Sequence, residues 1–151
     1  MVKKGILLLS ILFLILVGQP LRHTSAATMD GSDIVQQAKE HIGTPYVFGG
    51  TTPNGFDCSG FVRYVYKQAG INLPRSSGDQ YNVGSSVDSD DLQPGDLVFF
   101  GNTYKSGISH AGIYVGKDKF ISASSSKGIA IDSLKSGYWG PKFVGAKRVL
   151  K

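Results

Sequence analysis

A single cysteine stands at the start of a segment whose apolar residues repeat at helical spacing. Cys58 follows Asp57, and a glycine at position 70 closes the segment. The apolar positions on the predicted helix face are Phe61, Val62, Val65, Tyr66 and Ala69. One thiol cannot form an internal disulfide, so it is either a small buried hydrophobic residue or a reactive group. Because the free N–H groups and the dipole of a helix start stabilise negative charge, the pattern favours a nucleophilic thiolate.

The beginning of the chain has the pattern of an export signal. Two lysines precede an apolar run over 6–17, and small residues precede a predicted cleavage after Ala27. The run is short for a membrane span, which needs about 20 apolar residues, so an uncleaved anchor is the lesser alternative. We therefore expect a signal peptide at 1–27, a linker at 28–31 and one domain at 32–151. The protein is then secreted or held at the cell wall, without stable membrane insertion after cleavage.

The distribution of charge argues against a nucleic-acid partner. The chain carries a formal charge of +5, from 16 Lys and Arg and 11 Asp and Glu. Three of the basic residues and none of the acidic ones fall within residues 1–27, which leaves +2 for the remainder. No basic run in that remainder is longer than Lys147-Arg148. The clustered basic patch that binds nucleic acid is therefore missing from the sequence.

The order of the predicted elements indicates an α+β domain. A first helix begins at Asp30 or Ser32 and ends near Gly43, and the cysteine helix follows a turn-rich stretch. The polar segment 73–91 predicts loops with one short helix. Apolar segments separated by turn residues then predict strands at 97–100, 109–115, 119–124, 128–132 and 143–149. Helices followed by strands are typical of an α+β fold with a mostly antiparallel sheet.

Two histidines after position 27 are candidates for the base that a thiol nucleophile needs. His110 lies on a predicted strand, where small neighbours leave room for its ring. His41 lies on the first helix but off its apolar stripe, and is interpreted as a solvent-exposed residue. A lone histidine on a strand is more often structural, so His110 by itself does not establish a catalytic base.

Six segments, in this order, resemble the NlpC-type family of cell-wall cysteine peptidases, papain-like enzymes that cut peptidoglycan stem peptides. The resemblance covers nearly all of residues 32–150. The segments are 43–50 (GTPYVFGG), 56–62 (FDCSGFV), 73–77 (LPRSS), 92–100 (LQPGDLVFF), 110–116 (HAGIYVG) and 120–125 (FISASS). Each segment alone is a weak signal, whereas all of them in one order are highly specific.

The resemblance implies a papain-like α+β fold, with N-terminal helices packed on a mostly antiparallel sheet. It implies that Cys58 is the nucleophile and that His110 is the base, which later protonates the leaving amine. Tyr46 matches a tyrosine that lies close to the nucleophile and helps to hold the oxyanion or the substrate. Asp57 and Ser59 match residues that face the free amine of the stem peptide's first alanine in related enzymes. The implied reaction uses no metal and no cofactor.

Several of these residues also have a purely structural interpretation. Tyr46 can be a packing aromatic beside a glycine turn, and Asp57 can be no more than the N-cap of the cysteine helix. Arg75 and Ser76 either line the cleft or, more simply, belong to a surface loop. The sequence leaves these alternatives open.

Position 122 departs from the family pattern. Related enzymes usually carry a third polar residue, commonly a second histidine, at this spacing after the catalytic histidine, and here it is Ser122. A serine is too short to replace an imidazole in orienting His110 Nδ1, unless a water bridges the gap. Because side chains alternate along a strand, the two residues share a face only if their hairpin has an odd loop or a bulge. A three-residue turn at 116–118 would satisfy this condition.

The sequence therefore predicts a secreted peptidoglycan endopeptidase. It would hydrolyse the γ-D-glutamyl–diamino acid bond of stem peptides through an acyl-enzyme at Cys58, with Ser122 as the third catalytic position. One alternative is a hydrolase of another γ-glutamyl amide or polymer on the same scaffold. Another is a catalytically weak wall-binding protein, for which Ser122 would be the marker.

Overall fold

A computed structural model describes residues 28–151, and the predicted signal peptide lies outside them. Helices come first along the chain and most strands follow. The elements are α1 (Gly31–Lys39), β1 (Thr51–Thr52), β2 (Gly55–Phe56), α2 (Cys58–Gln68), α3 (Ser77–Gln80), β3 (Ser85–Val87), β4 (Leu97–Gly101), β5 (Ile108–Gly116), β6 (Lys119–Ser124), β7 (Gly128–Ser133) and β8 (Phe143–Arg148). Within the described range, none of the helices has the length and apolar content that a bilayer span requires.

Both predicted helix starts are confirmed. Asp30 and Asp33 form a capping box at the start of α1. The Asp30 side chain accepts the backbone N–H of Asp33, and the Asp33 side chain accepts the backbone N–H of Asp30. Asp57 caps α2, where its carboxylate accepts the N–H of Gly60 at 2.7 Å. Cys58 is consequently the first residue of α2, at the end of the helix that presents free N–H groups.

The larger sheet has the strand order β3-β8-β4-β5-β6-β7, and every neighbouring pair is antiparallel. The five predicted strands are confirmed as β4 to β8, with ends that differ by at most one residue. In the segment 73–91 the short helix is confirmed as α3, while β3 was not predicted. β3 is a mostly exposed edge strand of three residues, so it has no apolar pattern to reveal it.

An apolar core lies on each face of this sheet. The strand β4 shows why, since its residues are buried without alternation: Leu97 and Phe99 belong to one core, and Val98 and Phe100 to the other. The first core is shared with α1 and α2. The second is smaller, contains Trp139, and is formed by strand residues and the segment after β7. A strand buried on both faces appears in the sequence as a continuous apolar run.

The hairpin between β5 and β6 contains a bulge. Tyr114 pairs with Phe120, but the next pair is Gly116 with Lys119, so Val115 is the extra residue. Lys117 and Asp118, which form the turn, have φ angles of 54° and 58°. Positive φ at both positions is characteristic of a type I′ turn, the tight connection that matches the twist of antiparallel strands.

This bulge gives His110 and Ser122 a common face of the sheet. The predicted three-residue turn at 116–118 is wrong, and the alternative condition, a bulge, is the one that the hairpin meets. Continuing the register of the inner pairs puts Ser122 opposite Gly112, two residues from His110 on the same strand. His110 and Ser122 are thus diagonal neighbours on adjacent strands.

A glycine in α2 allows a loop to pack directly against the helix. A Cβ atom built on Gly60 would lie 2.1 Å from the carbonyl oxygen of Gly50. Gly50 follows Tyr46 in the loop that precedes β1, and it also accepts the backbone N–H of Asp57 at 3.0 Å. The missing side chain of Gly60 therefore lets the Tyr46 loop reach the start of the cysteine helix.

We predict that Gly60→Ala destabilises the protein by about 1–3 kcal/mol, because the backbone of the loop must move away from the new methyl group. Urea unfolding of the two proteins measures the difference. The control is Gly78→Ala in α3, where an added Cβ meets no atom within 4 Å. Alanine should be neutral or slightly stabilising there. Equal unfolding free energies for both variants would contradict the close approach at Gly60.

Candidate active site

A cavity of about 440 Å³ collects the residues that the sequence singled out for catalysis. Tyr46, Cys58 and His110 all line it, although they come from a loop, a helix start and a strand. Ser122 lies directly behind His110 and is fully buried. The structure therefore brings the predicted nucleophile, base and third residue to one place.

Cys58 carries a buried thiol at the N-terminus of α2. It is 8% exposed, and its Sγ lies 4.0 Å from the carbonyl oxygen of Ser109, the residue before His110. Burial raises the pKa of the Cys58 thiol, and the Asp57 carboxylate adds to this, whereas nearby backbone N–H groups lower it. The expectation that the helix start favours a thiolate is therefore wrong in the net direction, because loss of water outweighs the helix N–H groups.

His110 is held by Ser122 through its ε nitrogen. Nε2 lies 3.0 Å from Ser122 Oγ, in a position where His110 is 7% and Ser122 1% exposed. The sequence predicts a contact at Nδ1 and a serine too short to make it directly. Both points are wrong, because the hydroxyl contacts the imidazole directly and does so at Nε2. The other ring nitrogen, Nδ1, makes no contact with Ser122.

The close spacing of β5 and β6 explains why a serine is long enough. Gly112 lies opposite Ser122, and a Cβ on Gly112 would be 3.2 Å from Ser122 Cβ and 2.8 Å from Phe120 Cδ2. With hydrogen in place of a side chain at Gly112, nothing separates the hydroxyl from the imidazole across the diagonal. A residue on an adjacent strand therefore needs only a short side chain to reach His110.

The indole of Trp139 covers one face of the His110 ring. The two ring centroids are 4.6 Å apart with an angle of 27° between the planes, which is a stacked arrangement. Phe100 also contacts the imidazole, with centroids 5.8 Å apart. This burial lowers the pKa of His110 to about 4, and the negative charge of Asp132 opposes the shift. The imidazole is thus neutral over the physiological range.

Tyr46 lies on the rim of the same cavity and is half-buried. Its backbone forms an isolated parallel bridge with Phe56, which is two residues before Cys58. The bridge holds the loop of Tyr46 next to the start of α2. Burial raises the pKa of the Tyr46 phenol, and the charges of Cys58 and Asp57 add to it. Tyr46 thus lies on the rim of the cavity that Cys58 and His110 also line.

Asp57 and Ser59 lie beside the cavity, in a polar cluster with Arg75. The Arg75 guanidinium contacts both Asp57 oxygens, at 3.0 Å and 2.5 Å, and donates to Ser59 Oγ at 2.9 Å. Asp57 is also the helix cap, as predicted. Arg75 lies in a loop with its side chain 38% exposed and does not line the cavity, while Ser76 beside it caps α3. Arg75 offsets the negative charge next to Cys58.

The interpretation of His41 as a solvent-exposed residue is wrong. It is half-buried and meets Phe56, Phe61 and Tyr64 edge-on, with centroid distances of 5.6, 6.2 and 5.2 Å. Its position off the apolar stripe of α1 suggested an exposed residue. His41 lies just after the end of α1, and it packs against Phe56 and Phe61 of the first core and against Tyr64.

Two further features of the site have no counterpart in the sequence-based prediction. Trp139 could have been noticed as the chain's one tryptophan, although its stacking on His110 depends on the path after β7. The ion pair between Lys127 and Asp132 also lines the cavity. No sequence signal could have revealed that pair, because the β6–β7 hairpin alone brings the two residues together.

We predict that the protein loses stability as the pH falls from 6.5 to 4. The unfolded chain binds a proton at a histidine pKa of about 6.5, whereas folded His110 binds it only near pH 4. Because the unfolded state then holds more protons, acid favours unfolding, by about 3 kcal/mol once the pH is below 4.

Urea unfolding between pH 4 and 7.5 tests this on the wild type and on His110→Gln. Carboxylates and the other histidines contribute equally to both proteins, so the difference isolates His110. The variant should show a shallower loss of stability in acid. Parallel pH curves would mean that the imidazole is not protected from protonation in the folded state.

The NlpC/P60 family model matches residues 43–148. A protein of Bacillus subtilis (strain 168) named gamma-DL-glutamyl hydrolase is 55% identical over 117 residues, which are 76% of this chain and 28% of that protein. The probable peptidoglycan endopeptidase LytE of the same organism is 47% identical over 122 residues, 80% of this chain and 35% of that protein. This chain thus spans about a third or less of the length of these relatives.

Solved structures share the fold. An NlpC/P60 family protein from Bacillus cereus ATCC 10987 aligns with a TM-score of 0.78 and 36% identity, over 82% of this chain and 41% of that one. The NlpC/p60 domain of the peptidoglycan hydrolase SagA aligns with a TM-score of 0.71 and 33% identity, over 80% of this chain and all of that one. Together with the α+β architecture and the cavity around Cys58 and His110, these matches establish that the chain belongs to the NlpC/P60 family.

Proposed function

We propose that this protein is a cysteine peptidase that hydrolyses the γ-D-glutamyl–diamino acid bond of peptidoglycan stem peptides. The observation that carries the proposal is the meeting of Cys58 and His110 in one cavity, with His110 Nε2 against Ser122 Oγ. A nucleophile, a base and a group that orients the base are the parts that thiol acyl transfer requires. Relatives named as peptidoglycan endopeptidases support the substrate class.

The resting site holds a neutral thiol beside a neutral imidazole. Burial raises the pKa of Cys58 and lowers that of His110, so a preformed thiolate–imidazolium pair is disfavoured. With Nε2–H donating to Ser122 Oγ, Nδ1 carries the lone pair that accepts the thiol proton. Proton transfer then accompanies attack of sulfur on the γ-carbonyl carbon of the glutamyl residue.

The oxyanion of the tetrahedral intermediate needs hydrogen-bond donors. In the proposed mechanism these are the backbone N–H of Cys58, which a helix start leaves without an intrahelical partner, and the Tyr46 hydroxyl. Protonated His110 gives its proton to the leaving amine, and a γ-glutamyl thioester remains on Cys58. A water that loses a proton to His110 then hydrolyses the thioester and regenerates the thiol.

A second substrate class is a γ-glutamyl polymer outside the cell wall. The observation in its favour is the 55% identity to the protein named gamma-DL-glutamyl hydrolase. The chemistry at Cys58 would be unchanged, because the same γ-carbonyl would be attacked. The two candidates differ only in what precedes and follows the scissile bond.

Export belongs to the same proposal. A cell-wall substrate lies outside the cytoplasm, which agrees with the predicted signal peptide at 1–27, the linker at 28–31 and the domain at 32–151. We infer that the protein acts in the cell wall or as a secreted enzyme.

We predict that the purified protein releases L-alanyl-γ-D-glutamate from a stem tetrapeptide, together with a fragment that begins with the diamino acid. Mass spectrometry of the products identifies the bond, and Cys58→Ala serves as the inactive control. Poly-γ-glutamate is assayed in parallel. An uncleaved tetrapeptide, or a cut at a different peptide bond, would contradict the assignment, and cleavage of the polymer alone would favour the second candidate.

The same assay tests the proposed role of Asp57 and Ser59 as partners of the stem's first amine. Asp57 Oδ1 accepts from Gly60, Ser59 and Arg75, whereas Oδ2 accepts from Arg75 alone and so has an acceptor site left for the amine. A stem with an acetylated amine should therefore be cleaved more slowly. Equal rates on blocked and free stems would leave Asp57 as the helix cap and the partner of Arg75 only.

We predict that Ser122→Ala lowers kcat by about tenfold and leaves KM nearly unchanged. Loss of one hydrogen bond to the base costs about 1 kcal/mol of transition-state stabilisation, and Ser122 is too deeply buried to touch substrate. Kinetics on the stem tetrapeptide measure the effect, with exposed Ser86→Ala as the matched control. An unchanged kcat would make Ser122 a bystander, and an inert wild type would favour the wall-binding alternative.

A further inference from the structure

The cavity floor beyond His110 carries a hydroxyl without a partner. Ser124 lies on β6 two residues after Ser122, and therefore on the same face of the sheet as His110. Ser124 lines the cavity, and its Oγ is buried without a hydrogen-bond partner among residues 28–151. A buried hydroxyl that is left unpaired costs free energy, so its pairing with a bound ligand would be favourable.

An ammonium group lies on the same floor. Lys127 belongs to the turn between β6 and β7, and its Nζ forms an ion pair with Asp132. Asp132 on β7 lies opposite Phe120 on β6. Its side chain is therefore on the same face of the sheet as those of Ser122 and Ser124. Both members of the ion pair line the cavity, the lysine 55% and the aspartate 11% exposed. Asp132 therefore holds the lysine side chain over the floor.

These two groups fit a carboxylate. An ammonium has three hydrogen-bond donors, and the contact with Asp132 uses one, so others are left for an anion. The Ser124 hydroxyl supplies an uncharged donor beside it. The Asp132 carboxylate cancels much of the lysine charge, so the site suits one carboxylate bound by direct hydrogen bonds.

We infer that Lys127 and Ser124 bind the free α-carboxylate of the γ-linked glutamyl residue, and that the enzyme therefore distinguishes this carboxylate from a carboxamide. The inference rests on the proposed function, since a γ-linkage is what leaves the α-carboxylate free. Only the short glutamyl side chain separates that group from the carbonyl that Cys58 attacks. Cys58, Ser124 and Lys127 all line one cavity, so a single glutamyl residue would contact all three.

The first test compares stem tetrapeptides that differ only at the glutamyl α-carbon, with a free carboxylate or a carboxamide. The wild type should cleave the carboxylate form with a kcat/KM at least about tenfold higher, as expected for a hydrogen bond to a charged group. Lys127→Gln should remove this preference, and Ser124→Ala should reduce it. If Lys127→Gln lowers both rates equally, the inference is wrong.

The matched control is Lys135→Gln. Lys135 is also an exposed lysine in an ion pair, with Asp118, but it lies outside the cavity lining. This variant should keep the wild-type preference. Exposed ion pairs contribute little to stability, so both lysine variants should remain folded.

A carboxylate on the leaving diamino acid is the other group that the lysine could bind. Stems amidated at that carboxylate, with the glutamyl carboxylate free, separate the two sources. Lys127→Gln should leave the effect of this second amidation unchanged. A preference that Lys127→Gln alters only at the diamino acid would overturn the inference.

Binding to Cys58→Ala separates this inference from the proposed function. Titration calorimetry with L-alanyl-γ-D-glutamate and its α-amide measures the preference without catalysis. Tighter binding of the acid, lost in the Cys58→Ala, Lys127→Gln double variant, would support the carboxylate site even if the wild type cleaved nothing. Equal affinity for acid and amide would refute the site even in an active enzyme.

Discussion

The pairing of β5 with β6 decides whether His110 and Ser122 share a face of the sheet. A two-residue turn without a bulge would continue the pairing of Gly116 with Lys119 along the whole hairpin. Every residue of β6 would then shift by one, and Ser122 would face the helices instead of His110. The extra residue, Val115, shifts the register of the hairpin by one residue. Ser122 then lies on the face of His110, and its Oγ reaches the imidazole. The orientation of the base thus depends on an insertion of one residue at the end of the hairpin.

Electrostatics at the nucleophile result from opposing terms. The helix start and the N–H groups near Sγ favour the thiolate, while burial and the Asp57 carboxylate disfavour it, and burial dominates. The residue that caps α2, and so places Cys58, also carries a charge of the wrong sign for a thiolate. Arg75 compensates by pairing with both oxygens of that carboxylate. The cap is retained and its electrostatic cost to Cys58 is reduced.

Much of the architecture could be predicted from the sequence because it depends on local patterns. The cap at Asp57, the helix after it and the apolar strands are each encoded within a few residues. β3 escaped prediction because an exposed edge strand has no buried face to leave a pattern. The contact at His110 Nε2 also could not be predicted, since it depends on the distance between strands and on the absence of a side chain at Gly112. Lys127 and Asp132 meet only through the β6–β7 hairpin.

The second core links stability to the state of the base. Trp139 stacks on His110 and packs with Phe100 and Phe120, so the residues that cover the imidazole are also those that fill this face of the sheet. Burial by this cluster keeps His110 neutral and able to accept a proton, at the expense of the imidazolium that forms during catalysis. Asp132 is the residue whose charge favours that imidazolium, and Lys127 partly neutralises it. A substrate carboxylate bound to the same ammonium would share its positive charge with Asp132, so that less of the aspartate charge is neutralised next to His110. Binding of the substrate and stabilisation of the protonated base would then be coupled through one lysine.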